Sequence, residues 1–178
     1  MDSKPALLVI DVQVALMELM APALRESALP RIGGLVTRAR ERNWPVLYVQ
    51  HDGGERHILQ AGKPGWALHP AILHRNGDPV IAKRECDAFF ETGLQAELAA
   101  RGIGHLVIAG AMTEYCIDTN CRRATSQGYD VTLAADAHLT RDNKILMAEQ
   151  IVAHHNKLLA GFGSGSHRVT VMPAAAIA

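Results

Sequence analysis

Six short runs of β-branched and leucine-rich residues recur along the chain, at Ala6–Ile10, Val46–Gln50, Val80–Ala82, His105–Ala109, Val131–Ala135 and Arg168–Met172. Each is nearly continuous in hydrophobicity rather than alternating, which is the pattern of strands covered on both faces of a parallel sheet. Helical patterns lie between them. Ile32, Leu35, Val36 and Ala39 recur at helical spacing, with Pro30 near the start and Asn43 to Pro45 at the end. A second helix is predicted from Thr92, where Thr92 and Gln95 match a capping box, to a point before Gly102. A third follows Thr113 and stops at Gly128, and a fourth covers Arg141 to Leu159. This alternation predicts βαβ crossovers and an α/β fold, a three-layer α/β/α sandwich on a mostly parallel, six-stranded Rossmann-like sheet. The segment 51–78 breaks the rhythm: it is long and rich in Gly, His and Pro, and loops of that length tend to be functional.

Composition narrows the function classes. At 178 residues and 19.2 kDa, the chain is expected to form one domain over 1–178, given about 150 residues per domain. Hydrophobic residues make up 48% and charged residues 20%, which excludes the profile of a disordered chain. Basic and acidic residues balance at 18 each, so the field of a nucleic-acid or anionic-membrane binder is missing. No apolar run approaches the roughly 20 residues of a membrane span, and Ala6–Ile10 ends at Asp11, too short for a signal-peptide core. Cys86, Cys116 and Cys121 form no CxxC pair, so free thiols and a cytoplasmic location are expected.

In an open α/β sheet, ligands bind beyond the carboxyl ends of the strands. Asp11 follows the first strand, Lys83 the third, and Cys116 lies just past the fourth, at the start of the third helix. Parallel neighbouring strands would bring an acid, an amine and a thiol to one edge. A lysine ammonium and a helix N-terminus both favour thiolate over thiol, which predicts a Cys116 pKa below the ordinary value. With Thr113 as N-cap, Cys116 stands at N3, and the free backbone donors there can hold an oxyanion. Asp11 can take the thiol proton and return it to a leaving amine, as nucleophilic acyl transfer requires.

At these residues the sequence resembles the isochorismatase-like hydrolases, the cysteine hydrolase superfamily that includes nicotinamidases, carbamoyl amidohydrolases, streptothricin hydrolase-like enzymes and a γ-lactamase. The matching pieces run through nearly the whole chain: 7–13, 46–52, Gly65 and Trp66 with His69 and Pro70, Lys83 with Phe89 and 92–94, 110–116, and 132–137. The resemblance implies Cys116 as nucleophile, Asp11 as proton carrier and Lys83 as electrostatic support. It further implies a cis peptide joining Ala111 to Met112 and an oxyanion hole from the backbone N–H groups of Met112 and Cys116. True isochorismatases lack this cysteine, so its presence implies hydrolysis of a C–N bond in a small amide, carbamoyl or lactam substrate. Gln13, Trp66, Tyr115 and Ala111 are expected as pocket walls, with substrate specificity in the loops 14–29, 51–78 and 111–115. No cofactor is expected, and the resemblance implies a homodimer or homotetramer.

Nicotinamidases of that superfamily bind a metal through an Asp-x-His pair and a further His after the second strand. Here His51 and Asp52 are adjacent and no Asp-x-His occurs. No metal is therefore expected, with a different arrangement of His51, Asp52, His57 and His69 as the alternative. Gly161–Ser166 superficially resembles a phosphate-cradling loop but follows a helix, so the dinucleotide fingerprint fails and a connecting loop is expected. His154, His155, Cys86 and Cys121 read as packing or interface residues. The competing readings are a metal-assisted nicotinamidase-type amidase and an inactive binding protein of the same fold.

Overall fold

The computed structural model describes residues 3–177. Seven strands form one sheet in the order β3-β2-β1-β4-β5-β7-β6: β1 Lys4–Ile10, β2 Val46–His51, β3 Val80–Lys83, β4 Ile103–Ala111, β5 Asp130–Leu139, β6 Gly163–Ser164 and β7 His167–Met172. All pairings are parallel except the antiparallel β6–β7 pair. The six apolar runs are the six parallel strands. The seventh, β6, is a two-residue hairpin arm inside the expected connecting loop, too short and too glycine-rich to carry a hydrophobic pattern.

The helices are α1 Val14–Glu18, α2 Pro22–Glu41, α3 Leu94–Ala100, α4 Asp118–Ser126 and α5 Ala148–Leu159. Two apolar clusters fill the layers. One joins Leu7, Val9, Tyr48 and Val107 to Ile32, Leu35 and Val36 of α2; the other joins Leu8, Ile10, Leu47 and Ile108 to Leu94 and Leu98 of α3 and Cys121 and Ala124 of α4. Successive strand residues thus alternate between two buried faces, which is why the runs read as continuous hydrophobicity.

Three helix boundaries differ from the sequence pattern. Helix α2 begins at Pro22, at a position where a missing N–H costs nothing, and Pro30 sits within it, so the expected loop 14–29 is largely helical. Before α5, the Asn143 side chain accepts from Ile145 N and Leu146 N and Asp142 accepts from Ala148 N, which holds 141–147 as a loop. At α3 the N-cap is Gly93, and the Thr92 hydroxyl donates to Ala88 O while accepting from Leu94 N, so the expected capping box does not form.

The sheet centre is shaped by Gly110. Its φ is +127°, and a Cβ there would lie 2.0 Å from Ile10 O, so β1 and β4 approach as they do only because this residue has no side chain. A register shift opposite Ile108 to Gly110 then brings His138 of β5 level with Gly110. Gly110→Ala is expected to destabilise the fold by about 3 kcal/mol or more, seen as a fall of roughly 10 °C in the thermal midpoint; an unchanged midpoint would show that the strands can part without cost.

Candidate active site

Asp11, Lys83 and Cys116 meet at the carboxyl edge of the sheet. Asp11 follows β1 in a left-handed conformation, φ 52°, with its N–H donated to Val49 O at 3.0 Å. Lys83 ends β3, and Cys116 lies beyond β4 in a π-helical turn, Thr113–Ile117, that leads into α4. The Lys83 side chain is fully buried. Its Nζ lies 2.7 Å from Asp11 Oδ2, 3.0 Å from Glu85 O, 3.2 Å from Cys116 Sγ and 3.3 Å from His51 Nδ1. An ammonium has three protons, so four acceptors share three donors. Among the described residues, Asp11 Oδ1 is buried with no hydrogen-bond partner.

The electrostatics correct one expectation. Burial and the Asp11 carboxylate push the Cys116 thiol above its ordinary value, and together they outweigh the lowering by Lys83. Burial of the sulfur, with the ammonium expected to stabilise a thiolate already paired to Asp11, thus favours the thiol form. That pairing with Asp11 and Cys116 raises the Lys83 pKa against desolvation. Met112, not Thr113, is the N-cap, and its carbonyl accepts from Tyr115 N and Ile117 N, so Cys116 stands at the fourth position of the turn. The peptide bond from Ala111 to Met112 is cis, as the resemblance implied.

Thr113 is held instead from behind. Asn156 Nδ2 donates to Ala135 O, which leaves its Oδ1 as the acceptor for His138 Nε2–H at 2.9 Å; His138 Nδ1 must then accept from the Thr113 hydroxyl, also at 2.9 Å. Asn120, fully buried, fixes the other side of the turn. Its Nδ2 donates to Cys116 O and Cys86 O, and its Oδ1 accepts from Ala88 N. Neither His138 nor Asn120 stands out in the sequence, since each acts through backbone or hydroxyl partners distant along the chain.

A cavity of about 570 Å³ opens over the trio, lined by Asp11, Cys116, Met112 and Tyr115, by Leu16 and Leu19 of the α1 segment, by His51 and 57–59, and by Cys86 and Arg141. All three segments expected to carry specificity contribute. Tyr115 is half exposed at its mouth. Gln13, Trp66 and Ala111 do not line it. Gln13 is fully buried, accepts from His51 N, and donates to His51 O and Trp66 O; Gln50 donates to the same Trp66 carbonyl, so that turn is fastened to the end of β2. Ala111 lies buried within β4.

The histidines and Asp52 do not form a fitting cation site. Imidazole bound to a metal through Nε2 keeps its Nδ1 protonated, donating to an acceptor. Here Nδ1 of His51 faces the Lys83 ammonium, while Nδ1 of His57 and of His69 accept from Leu59 N and Ala71 N. The Asp52 carboxylate accepts from Gly54 N, Ala61 N and Arg84, and those backbone donors hold its pKa below the usual carboxylate range.

The molecule is thus an α/β protein on a mostly parallel sheet covered on both faces, with a cysteine beyond its fourth strand, an aspartate after its first and a buried lysine at the end of its third gathered at the carboxyl edge. The isochorismatase domain model matches residues 5–156, and the chain belongs to the isochorismatase family. A streptothricin hydrolase of Streptomyces noursei is 39% identical over 139 residues, covering 77% of this chain and 50% of that protein. A ureidoacrylate amidohydrolase of Variovorax paradoxus is 27% identical over 138 residues, covering 66% and 55%. The crystal structure of an isochorismatase from Pseudomonas putida KT2440 superposes with a TM-score of 0.86 at 28% identity, covering 98% of this chain and 90% of that one. The chain spans about half the length of the streptothricin hydrolases it matches.

Burial holds the His138 pKa down at about 4. The unfolded state therefore binds a proton that the folded state refuses, and stability falls as pH drops below about 6.5. Between pH 7 and 5 the loss attributable to His138 is expected to be roughly 2 kcal/mol. Urea unfolding of the native protein and of His138→Gln at both pH values checks this; equal losses in the two would refute it.

Proposed function

We propose that the protein is a cysteine hydrolase that cleaves a C–N bond of a small amide, carbamoyl or lactam substrate through a thioester. The observation that carries this reading is the buried ammonium of Lys83, 2.7 Å from the Asp11 carboxylate and 3.2 Å from the Cys116 sulfur, where both of those partners line a ligand-sized cavity. The similarity to proteins named as a streptothricin hydrolase and a ureidoacrylate amidohydrolase supports the same class of chemistry.

In this reading, Cys116 Sγ attacks the scissile carbonyl carbon as its proton passes to Asp11 Oδ1, the oxygen not engaged by Lys83. The negative charge that develops on the carbonyl oxygen is taken up by the backbone N–H groups of Met112 and Cys116. Asp11 passes the proton to the departing nitrogen, the C–N bond breaks, and an acyl thioester remains. Water then adds with loss of a proton to Asp11, the C–S bond breaks, and that proton returns to the sulfur as the acid leaves. Lys83 stays protonated throughout and stabilises whichever partner is anionic.

Cys116→Ala is expected to lower turnover by about 10⁴-fold or more and Asp11→Asn by about 10³-fold, measured by mass spectrometry across primary amides, carbamoyl compounds and small lactams. Turnover by Cys116→Ala at the native rate would refute the mechanism. The two charged partners are expected to move thiol reactivity in opposite directions. Asp11 raises the Cys116 pKa and Lys83 lowers it. At pH 8, iodoacetamide should therefore alkylate Cys116 faster in Asp11→Asn and slower in Lys83→Ala than in the native protein. A slower reaction in Asp11→Asn would overturn the assignment of Asp11 as the group that keeps the thiol protonated.

A further inference from the structure

Two histidines on one wall of the cavity have no part in the proposed acyl transfer, and their hydrogen bonds fix which nitrogen carries the proton. His51 pairs with Lys83 across the β2–β3 register, so their side chains leave neighbouring strands side by side. Its Nδ1 lies 3.3 Å from the Lys83 ammonium, which can only donate, so the ring proton of a neutral His51 sits on Nε2. The ring is kept neutral by burial and by the adjacent ammonium, both of which lower its pKa. His57 repeats the pattern at the rim: its Nδ1 accepts from Leu59 N at 3.1 Å, which leaves Nε2 to carry the proton. Among the described residues, neither Nε2 has a hydrogen-bond partner.

These rings are held in place. The Gln13 amide bonds both the N–H and the carbonyl of His51 and so clamps its backbone. The His57 ring fills the position where a side chain on Gly53 would begin, since a Cβ there would fall 1.9 Å from His57 Nδ1. The rings meet edge to face, centroids 6.2 Å apart, and both line the cavity above Cys116. The same cavity is lined by the apolar Leu16, Leu19, Ile58 and Leu59, with Arg141 and Tyr115 as its further donors.

We propose that His51 and His57 form a two-donor wall that orients the substrate by its second hydrogen-bond acceptor, so that the preferred substrates are amides carrying another carbonyl a few bonds from the scissile one, such as imides, cyclic ureides and acylated ureas. The scissile carbonyl is reserved for the oxyanion donors near Cys116. The second carbonyl meets the Nε2–H of His51, with His57 closing from the rim. A substrate lacking it would leave the His51 donor desolvated and unpaired, and rejection of such analogues follows from that loss. This inference rests on the proposed hydrolase reading only in taking this cavity as the substrate site. In the same picture Gln13 is a positioning residue that acts through His51.

The test compares binding of succinimide and 2-pyrrolidinone, five-membered rings that differ by the second carbonyl. Affinities are measured by NMR titration in the Cys116→Ala background, where no turnover intervenes. Succinimide is expected to bind at least tenfold more tightly, and the ratio should fall to near one in His51→Phe and recover several-fold in His51→Gln, which restores an N–H donor. Nitrogen-15 spectra of histidine-labelled protein should show His51 protonated on Nε2 and bare on Nδ1. A ratio near one in the histidine-intact protein, binding of neither probe, a ratio that survives His51→Phe, or a proton on Nδ1 would each overturn the proposal. Iodoacetamide labelling of Cys116 in the otherwise native single variants checks that the site remains assembled. Loss of the hydrolase reading alone would instead appear as turnover by Cys116→Ala with the His51 dependence of binding intact.

Discussion

A lysine ammonium withdrawn from water is the feature around which this molecule is arranged. Taking such a charge into a protein interior costs several kcal/mol unless close, well-directed partners replace the lost hydration. Lys83 finds them only where three strand ends and the turn after β4 converge: a carboxylate from β1, a carbonyl from the segment after β3, an imidazole from the end of β2 and the sulfur beyond β4. With four acceptors around three protons, a displacement of any of these elements would remove one of the close partners that replace the ammonium's hydration. The close passage of β1 along β4 at Gly110, the Asn120 tie between Cys86 and Cys116, and the His138 contact behind Thr113 all act on that convergence. Each fixes the backbone of a segment that presents a partner to the lysine.

Much of this was legible in the amino-acid order because parallel strands buried on both faces leave a simple trace. Residues such as Leu7 and Leu8 both need apolar character, since they point into opposite layers of the core. The run therefore stops where the strand leaves the sheet, and the first reactive residue beyond it marks the ligand edge. Asp11, Lys83 and Cys116 are visible on that basis. What escaped were features set by particular hydrogen bonds and helix-end positions instead of by the hydrophobic pattern. Helix α2 starts at Pro22, where a missing N–H costs nothing, and runs on through Pro30, whereas 141–147 carries helix-compatible residues yet stays open because Asp142 and Asn143 take up the backbone donors.

The thiol illustrates the same limit in electrostatic form. From composition, a lysine and a helix start beside a cysteine argue for a thiolate. The structure shows that the lysine's charge is already matched by Asp11 and that the sulfur is buried, so the balance turns the other way. Gln13 and Trp66 reverse in a similar manner. Both are expected as pocket walls, but the amide of Gln13 is used up on the backbone of His51 and Trp66, and it is His51, held by Gln13, that lines the cavity.

The Asp11, Lys83 and Cys116 cluster has one more property, which follows from counting its charges. At rest it holds one carboxylate, one ammonium and one neutral thiol, for a sum of zero. In the proposed mechanism the thiol proton moves to Asp11, after which the cluster holds a neutral acid, one ammonium and one thiolate, and the sum is still zero. Activating the sulfur therefore relocates a negative charge from one neighbour of Lys83 to another and brings no new ion into the low-dielectric interior. The surroundings have only a short dipole to reorganise around, not a monopole, and dissolved salt, which screens net charge across solvent, has little purchase on the step.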